Sequence, residues 1–295
     1  MNIGTLEAKG LCKCYGTKEV LHELDLTIQP GKIYGLIGRN GAGKTTLLSI
    51  LTAQNTHDSG EVTLNGQPVW ENQQALDQIC FSREMQSTLM GSANTQRVRD
   101  YLRAAAIYYP NWDAGYAKRL LEEFKLEEKK RINQLSKGQQ SMVTILIALA
   151  SRAPITILDE PVAGLDVVMR EKFYRLLLED FAQTERSFIV STHILEEAAS
   201  VFERVIILDE GRVIEDCPTD ELLDQFRYVS GREDVVDEVC RGLEVLSTHK
   251  MGRHKTVAVR GGGVKLDAAL SADVDVSPMS LQNVFVALCG HGDEQ

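Results

Sequence analysis

The chain has 295 residues, of which 43% are hydrophobic and 25% charged, enough apolar material for one sizeable core and a smaller second one. Its formal net charge of −10 argues against a broad nucleic-acid surface, because the lysines and arginines are scattered among more numerous carboxylates instead of forming a basic stripe. The basic clusters "EEKKR" and "RVRDYLR" read as solvated helix faces.

The opening "MNIGTLEAKGLCKCYG" has no basic start followed by an apolar run, so the chain is expected to stay inside the cell. The apolar run from Met142 to Ala150 is well short of the roughly 18 to 20 residues that cross a bilayer. Any membrane role is then borrowed from a partner. Cysteines at 12, 14, 80, 217, 240 and 289 show no paired framework and are expected to stay reduced. "CKC" at 12–14 lacks a second Cys/His pair at metal-binding spacing, so no metal is assigned there.

In chain order, the first half alternates strand-like and helix-like segments in the manner of an α/β protein: strand at 32–38, helix at 44–54, strand and turn at 59–69, strand at 78–82. From 97 to 150 the pattern is helical, in three segments, which reads as an insert within the α/β core. Strands return at "ITILDE" (155–160), "SFIVST" (187–192) and "RVIILDEGRVIE" (204–215), with helices expected at "VVMREKFYRLLLEDFA" and "ILEEAASVF" between them. The Asp-Glu-Gly inside 204–215 marks a hairpin. Beyond about 221 the composition turns glycine-rich, and 222–295 reads as a small α+β domain. Near its end Leu281, Val284, Phe285 and Leu288 have amphipathic helical spacing, suited to packing on that domain or to a dimer contact.

"GLIGRNGAGKTT" (35–46) sets Gly38, four residues and then Gly43-Lys44-Thr45 between a predicted strand and a predicted helix, the arrangement a phosphate loop requires. The glycines, with Asn40, Gly41 and Ala42 between them, let backbone N–H groups turn inward around a β-phosphate. Lys44 reaches the β- and γ-oxygens, and the Thr45 hydroxyl can bind Mg²⁺. "ITILDE" supplies the second element: Asp159 is expected to hold Mg²⁺ through water, and Glu160, beside the attacking water, is the general base. "VIILDEG" at 205–211 also ends in Asp-Glu, but the following Gly and strand make it a turn. "LSKGQQ" (135–140) stands at the polar start of an apolar helix, where Ser136, the Gly138 N–H and the helix dipole together form an anion site without a basic patch.

"GRNGAGKTT", "LSKGQQ", "ITILDEPVAGLD" and "VSTHILEEA" occur in the order and approximate spacing found in the nucleotide-binding subunits of ABC transporters, and this resemblance covers about residues 3–220. It implies a P-loop NTPase fold, a RecA-like core with a β-subdomain and a helical signature subdomain at about 85–152, within a nucleotide-binding domain of 1–221. It also implies that two molecules sandwich two ATP molecules head to tail, Ser136, Gly138 and Gln139 of one facing the γ-phosphate held by the other. By the same resemblance Tyr15 stacks on adenine, Thr46 meets the α-phosphate, His193 contacts the γ-phosphate and attacking water, and Asp166 links the two sites. Where the family has a Mg²⁺-sensing Gln, "ICFSRE" (79–84) offers Glu84, with Gln86 the alternative. Lys137 stands where the family often has a second Gly, and Thr156 is a polar departure inside an apolar strand.

The function this implies is the ATPase of an ABC exporter of a drug-like or peptide substrate. The cassette works as a homodimer, or with a sister ATPase, on a separate polytopic membrane subunit at the inner face of the cell membrane. A soluble ABC ATPase serving cytosolic assembly, such as metal-cluster assembly, is the alternative. A P-loop kinase would leave "LSKGQQ" and His193 without tasks.

Overall fold

A computed structural model describes residues 4–85, 95–261 and 274–290. The chain divides into two compact units, Met1–Glu215 and Asp216–Gln295.

In the first unit, β1 (Leu6–Tyr15), β2 (Lys18–Ile28), β3 (Ile33–Ile37), α1 (Lys44–Leu51), β4 (Ser59–Leu64), β5 (Gln67–Pro68), α2 (Gln73–Leu76) and β6 (Ile79–Arg83) come first. The helices α3 (Val98–Tyr108), α4 (Ala114–Glu123) and α5 (Lys137–Ala150) follow, and β7 (Ile155–Asp159), α6 (Val167–Thr184), β8 (Ser187–Thr192), β9 (Arg204–Asp209) and β10 (Arg212–Pro218) complete the series. Strands β2-β1-β4-β5 form one sheet, antiparallel throughout. The other has the order β10-β9-β3-β8-β7-β6, parallel from β9 to β6.

Every residue of β3, β7 and β8 is buried. That is the signature of central parallel strands covered on both faces, and it is why they read as continuous apolar runs. One apolar cluster, including Leu6 and Leu21 of the antiparallel sheet, Leu47 and Leu48 of α1, and Ile157 and Ile189 of the parallel sheet, joins the two layers. Helix α1 is thereby clamped between them, which fixes the loop that precedes it.

The helical insert is held to the core at α4 and α5. Asp113 caps α4 by accepting from Tyr116 N at 2.8 Å, while its own N–H reaches Ala150 O at the end of α5, also at 2.8 Å. Thr156, the polar departure in β7, is fully buried and satisfied: its hydroxyl bonds Ala153 O at 3.3 Å and accepts from Arg186 Nη1 at 3.1 Å. The Glu210–Gly211 turn between β9 and β10 has positive φ at both residues, as a tight hairpin needs, so the second Asp-Glu pair sits in a turn.

The helix expected at "ILEEAASVF" does not form. Leu195, Ala198, Val201 and Phe202 are buried at helical spacing, but the backbone closes separate turns, Ala199 N to Leu195 O and Val201 N to Ala198 O. The buried side chains anchor the segment from these turns, without one continuous helix.

The second unit holds α7 (Thr219–Asp224), β11 (Phe226–Arg232), α8 (Glu233–Val239), β12 (Glu244–Met251), β13 (His254–Arg260), β14 (Val274–Pro278) and α9 (Leu281–Cys289). Its antiparallel sheet has the order β12-β13-β11-β14, over a small core of Val229, Val236, Cys240, Val257 and Val259. In α9, Leu281 and Val284 are buried, Phe285 and Leu288 partly so, and Val286 faces solvent.

Candidate functional site

Strand β3 delivers the chain to Gly38, and Gly43 starts α1 with φ 105°, a left-handed conformation in which a Cβ would be strained. No acidic side chain occupies the first turn of α1, so the positive end of that helix is left for an external anion. Lys44 is 6% exposed and folds back over the loop, its Nζ donating to Gly38 O at 2.7 Å and Arg39 O at 3.3 Å. The Ala42 N–H donates to Arg39 O at 3.1 Å, closing the turn between the flanking glycines.

The carboxylates arrive from β7. Thr45 Oγ1 donates to Asp159 Oδ2 at 2.8 Å, and the other carboxylate oxygen accepts from Ser191 Oγ at 2.5 Å. This is a product of register, since Asp159 and Ser191 are direct partners on the parallel strands β7 and β8. Glu160, one residue past the strand, has φ 50°, and its N–H donates to Ser191 Oγ at 3.0 Å and Ser191 O at 3.2 Å. Its carboxylate lies between two cationic or polarisable groups: Oε1 is 3.8 Å from Lys44 Nζ and Oε2 is 2.8 Å from His193 Nδ1. A left-handed non-glycine residue held by two bonds is stored backbone strain of the kind found at functional sites.

A cavity of about 520 Å³ opens over this cluster, with Asn40, Gly41, Thr46 and Glu160 in its wall and Tyr15 at the rim. Tyr15 is 50% exposed. The structure therefore brings Tyr15, the phosphate loop and Glu160 to one cavity, with Asp159 and His193 bonded to members of it.

Helix α5 presents its own site. Ser136 caps it, accepting from Gln139 N at 3.2 Å, while Gln139 Oε1 accepts from Ser136 N at 3.2 Å, a reciprocal capping box. A Cβ on Gly138 would lie 2.8 Å from Gly164 O, so only glycine allows that approach. Among the described residues, none of α5 lines the phosphate-loop cavity. Asp166 caps α6, accepting from Met169 N at 2.9 Å. Glu84 follows Arg83, the register partner of Asp159, and its carboxylate meets Lys137 Nζ at 2.9 Å. Gln86, its alternative, lies outside the described residues. Cys12 accepts from Glu23 N at 3.3 Å, no disulfide joins any of the six cysteines, and no cluster of three or more His, Cys, Asp or Glu is placed to hold a metal among the described residues.

Sequence reasoning passed over Ser191, although it stands inside "VSTH" two residues before His193. Its signal was positional: a hydroxyl at the end of the strand beside β7, which only the register makes visible.

A phosphate loop opening onto a helix, a hydroxyl and carboxylate joined beside it and a glutamate held over the same cavity define a P-loop ATPase cassette. The sequence model of the family described as "ABC transporter" matches residues 21–163. The Nod factor export ATP-binding protein I of Burkholderia lata is 32% identical over 222 residues, 72% of this chain and 71% of that protein. The aliphatic sulfonates import ATP-binding protein SsuB of Corynebacterium glutamicum is 32% identical over 213 residues, 70% of this chain and 80% of that one. A dimeric ATP-binding cassette solved in a post-hydrolysis state with ADP and Pi superposes with a TM-score of 0.62 at 26% identity, over 72% of this chain and 98% of that one. The chain belongs to the ATP-binding proteins of ABC transporters, and it is an ATPase. Among the described residues no helix is long and apolar enough to cross a membrane.

Proposed function

We propose that this ATPase powers an ABC exporter by closing, as a homodimer, over two nucleotides at the inner face of the cell membrane, on a separately encoded polytopic subunit. The observation that carries the dimer is the separation of two half-sites. The phosphate-loop cavity takes nothing from α5, while the tip of α5 presents Ser136 to solvent with Gly138 and Gln139 behind it. A second copy supplies the missing half, as expected of a relative whose solved cassette is dimeric with ADP and Pi. All the elements of both halves lie on one chain, which favours two identical copies over a sister pair.

The donor set at Thr45 and Asp159 fits Mg²⁺: one hydroxyl and one carboxylate, both hard oxygens, leave most positions to water and phosphate. When bound, the ion would neutralise charge on the β- and γ-phosphates, with Glu84 within one residue of the Asp159 register and able to join it after leaving Lys137. Lys44 moves from the loop carbonyls to the phosphate oxygens. Glu160 orients water and accepts its proton, and His193, bonded to Glu160, fixes the direction of that carboxylate and can meet the γ-phosphate. Thr46 binds the α-phosphate, Tyr15 stacks on adenine, and Asp166 relates the two sites.

Export is favoured over import by the layout of the chain. Like the Nod factor export relative, it keeps more than a quarter of its length outside the matched cassette. A small drug-like or peptide substrate fits that reading. Purification of the tagged chain from detergent extracts of its native cells tests it: co-recovery of a polytopic membrane subunit is expected, and recovery of soluble partners alone overturns it.

A further inference from the structure

Tyr15 is not a free surface ring. Asn55 Nδ2 donates to its hydroxyl at 2.5 Å, and Lys13 Nζ stands 5.4 Å from the ring centroid, within cation–π range. Lys13 is 7% exposed, an unusual depth for a lysine. Asp58 holds it, with Oδ1 3.4 Å from Nζ, and the other oxygen of Asp58 accepts the Cys14 N–H at 2.5 Å. One carboxylate thus pins both the ammonium and the backbone immediately before Tyr15.

Asn55 and Asp58 belong to the segment that follows α1, the helix that begins at the phosphate loop. That segment is locked at both ends. Gln54 N and Asn55 N both donate to Ser49 O, at 2.8 and 3.1 Å, and Asp58 N donates to Cys12 O at 3.0 Å. The span from Lys44 to the Tyr15 support is therefore one rigid helix with a fixed tail, and α1, at 1.5 Å per residue, sets the distance between phosphate cradle and ring. Lys13 does not line the cavity, so its charge bears on the ring from the protein side while Tyr15 itself faces the cavity.

We infer that Lys13 and Asn55 are positioning residues for the nucleobase: together they hold Tyr15 as a preset platform, and the ammonium polarises the ring toward an electron-rich purine. This rests on the stacking role proposed for Tyr15. A ring already fixed loses little freedom when a base stacks on it, so part of the affinity for ATP comes from residues that never touch it.

The test is equilibrium binding to the full chain of ATP and of inorganic tripolyphosphate, which carries the phosphates without the base. Lys13→Met is expected to raise the Kd for ATP about fivefold, from the loss of one cation–π contact and the freed ring, and to leave the Kd for tripolyphosphate unchanged. Asn55→Ala, at an exposed hydrogen bond, is expected to act in the same direction without risk to folding. Lys13→Arg is expected to restore ATP binding, and Lys13→Met is expected to add nothing to Tyr15→Ala. Equal weakening of ATP and tripolyphosphate overturns the inference, as does additivity with Tyr15→Ala. If Tyr15→Ala weakens ATP binding while Lys13→Met and Asn55→Ala do not, the support role alone falls. If Tyr15→Ala has no effect, the stacking role falls and takes the support role with it.

Discussion

The His193 imidazole meets the Glu160 carboxylate at 2.8 Å, on the side of that carboxylate away from Lys44. Glu160 is thereby aimed from two directions while remaining in the wall of the cavity. Replacing Glu160 by Gln keeps the shape and the oxygen facing His193 but removes the proton acceptor. Turnover is expected to fall by about 10² to 10⁴, the usual range for a lost general base, with ATP affinity retained. Phosphate release measured beside nucleotide binding checks this, and turnover at the parental rate would remove Glu160 from the role of base.

Ser191 joins the two carboxylate residues, donating to Asp159 and accepting the Glu160 N–H. Ser191→Ala leaves a left-handed Glu160 with one backbone anchor and Asp159 with Thr45 alone. Activity is expected to drop about 10- to 100-fold, as for other supports of metal-site ligands, with the loss partly recovered at raised Mg²⁺. A Mg²⁺ titration of the ATPase rate distinguishes this from a simple loss of fold, which added ion would not repair.

The chemistry-bearing segments were legible because each combines a local pattern with a local physical demand. Gly38, Gly43 and Lys44 need only their flanking strand and helix to be read, and β3, β7 and β8 announce themselves as buried apolar runs. The pair β1 and β2 was harder to see. Register shifts between Ala8 and Leu11, Leu11 and Lys13, and Lys13 and Cys14 break the strict alternation that marks a strand, and a lysine occupies a buried position. Ser191 and the Lys13–Tyr15–Asn55 assembly depend on register or on contacts 40 residues apart, which a single sequence does not display. The Glu84–Lys137 pair joins two of the three departures from the family pattern, yet nothing in either segment alone points to the other.

Gly138 passes so close to Gly164 that an added Cβ would lie 2.8 Å from a backbone oxygen. In Gly138→Ala either α5 shifts along its axis or the 163–165 loop retreats, and both change how the tip of α5 sits against that loop. ATP-driven dimerisation is expected to be lost while ATP binding to the single chain persists, since the phosphate-loop cavity takes nothing from α5. Sedimentation of the variant carrying Glu160→Gln as well, with and without ATP, reads this directly. A nucleotide-dependent dimer in that background would detach the α5 tip from the sandwich.

Arg186 and Asp180 form a bidentate pair, 2.8 and 2.9 Å, with almost no exposure of either side chain. The remaining guanidinium donors are taken by Thr156 Oγ1, Ala153 O and Leu149 O, so α5, β7 and α6 converge on one cation. Asp180→Ala strands a buried charge and is expected to cost about 3–5 kcal/mol. Urea denaturation would show it as a lower midpoint, and a cost below 1 kcal/mol would mean that water reaches the arginine.

Arg152, which donates to Asp180 at 2.9 Å and to Asp113 at 3.2 Å, ties Asp113 to the same network and gives it a pH-dependent element. The Asp113 carboxyl is held below the usual carboxylate range, chiefly by the Tyr116 N–H it caps, with Arg152 adding to the effect and partial burial opposing it. A depressed folded-state value means that this group's stabilising contribution is present above its unfolded pKa of about 3.9 and is lost as pH falls through the lower folded value. Asp113→Asn keeps a capping oxygen but not the charge. Wild type should therefore exceed this variant in stability at pH 7 and pH 5, with the difference closing progressively below about pH 4. Denaturant midpoints of both proteins across that range check the sign. A gap that stays constant on acidification would show that the charge of Asp113 contributes nothing beyond the capping oxygen itself.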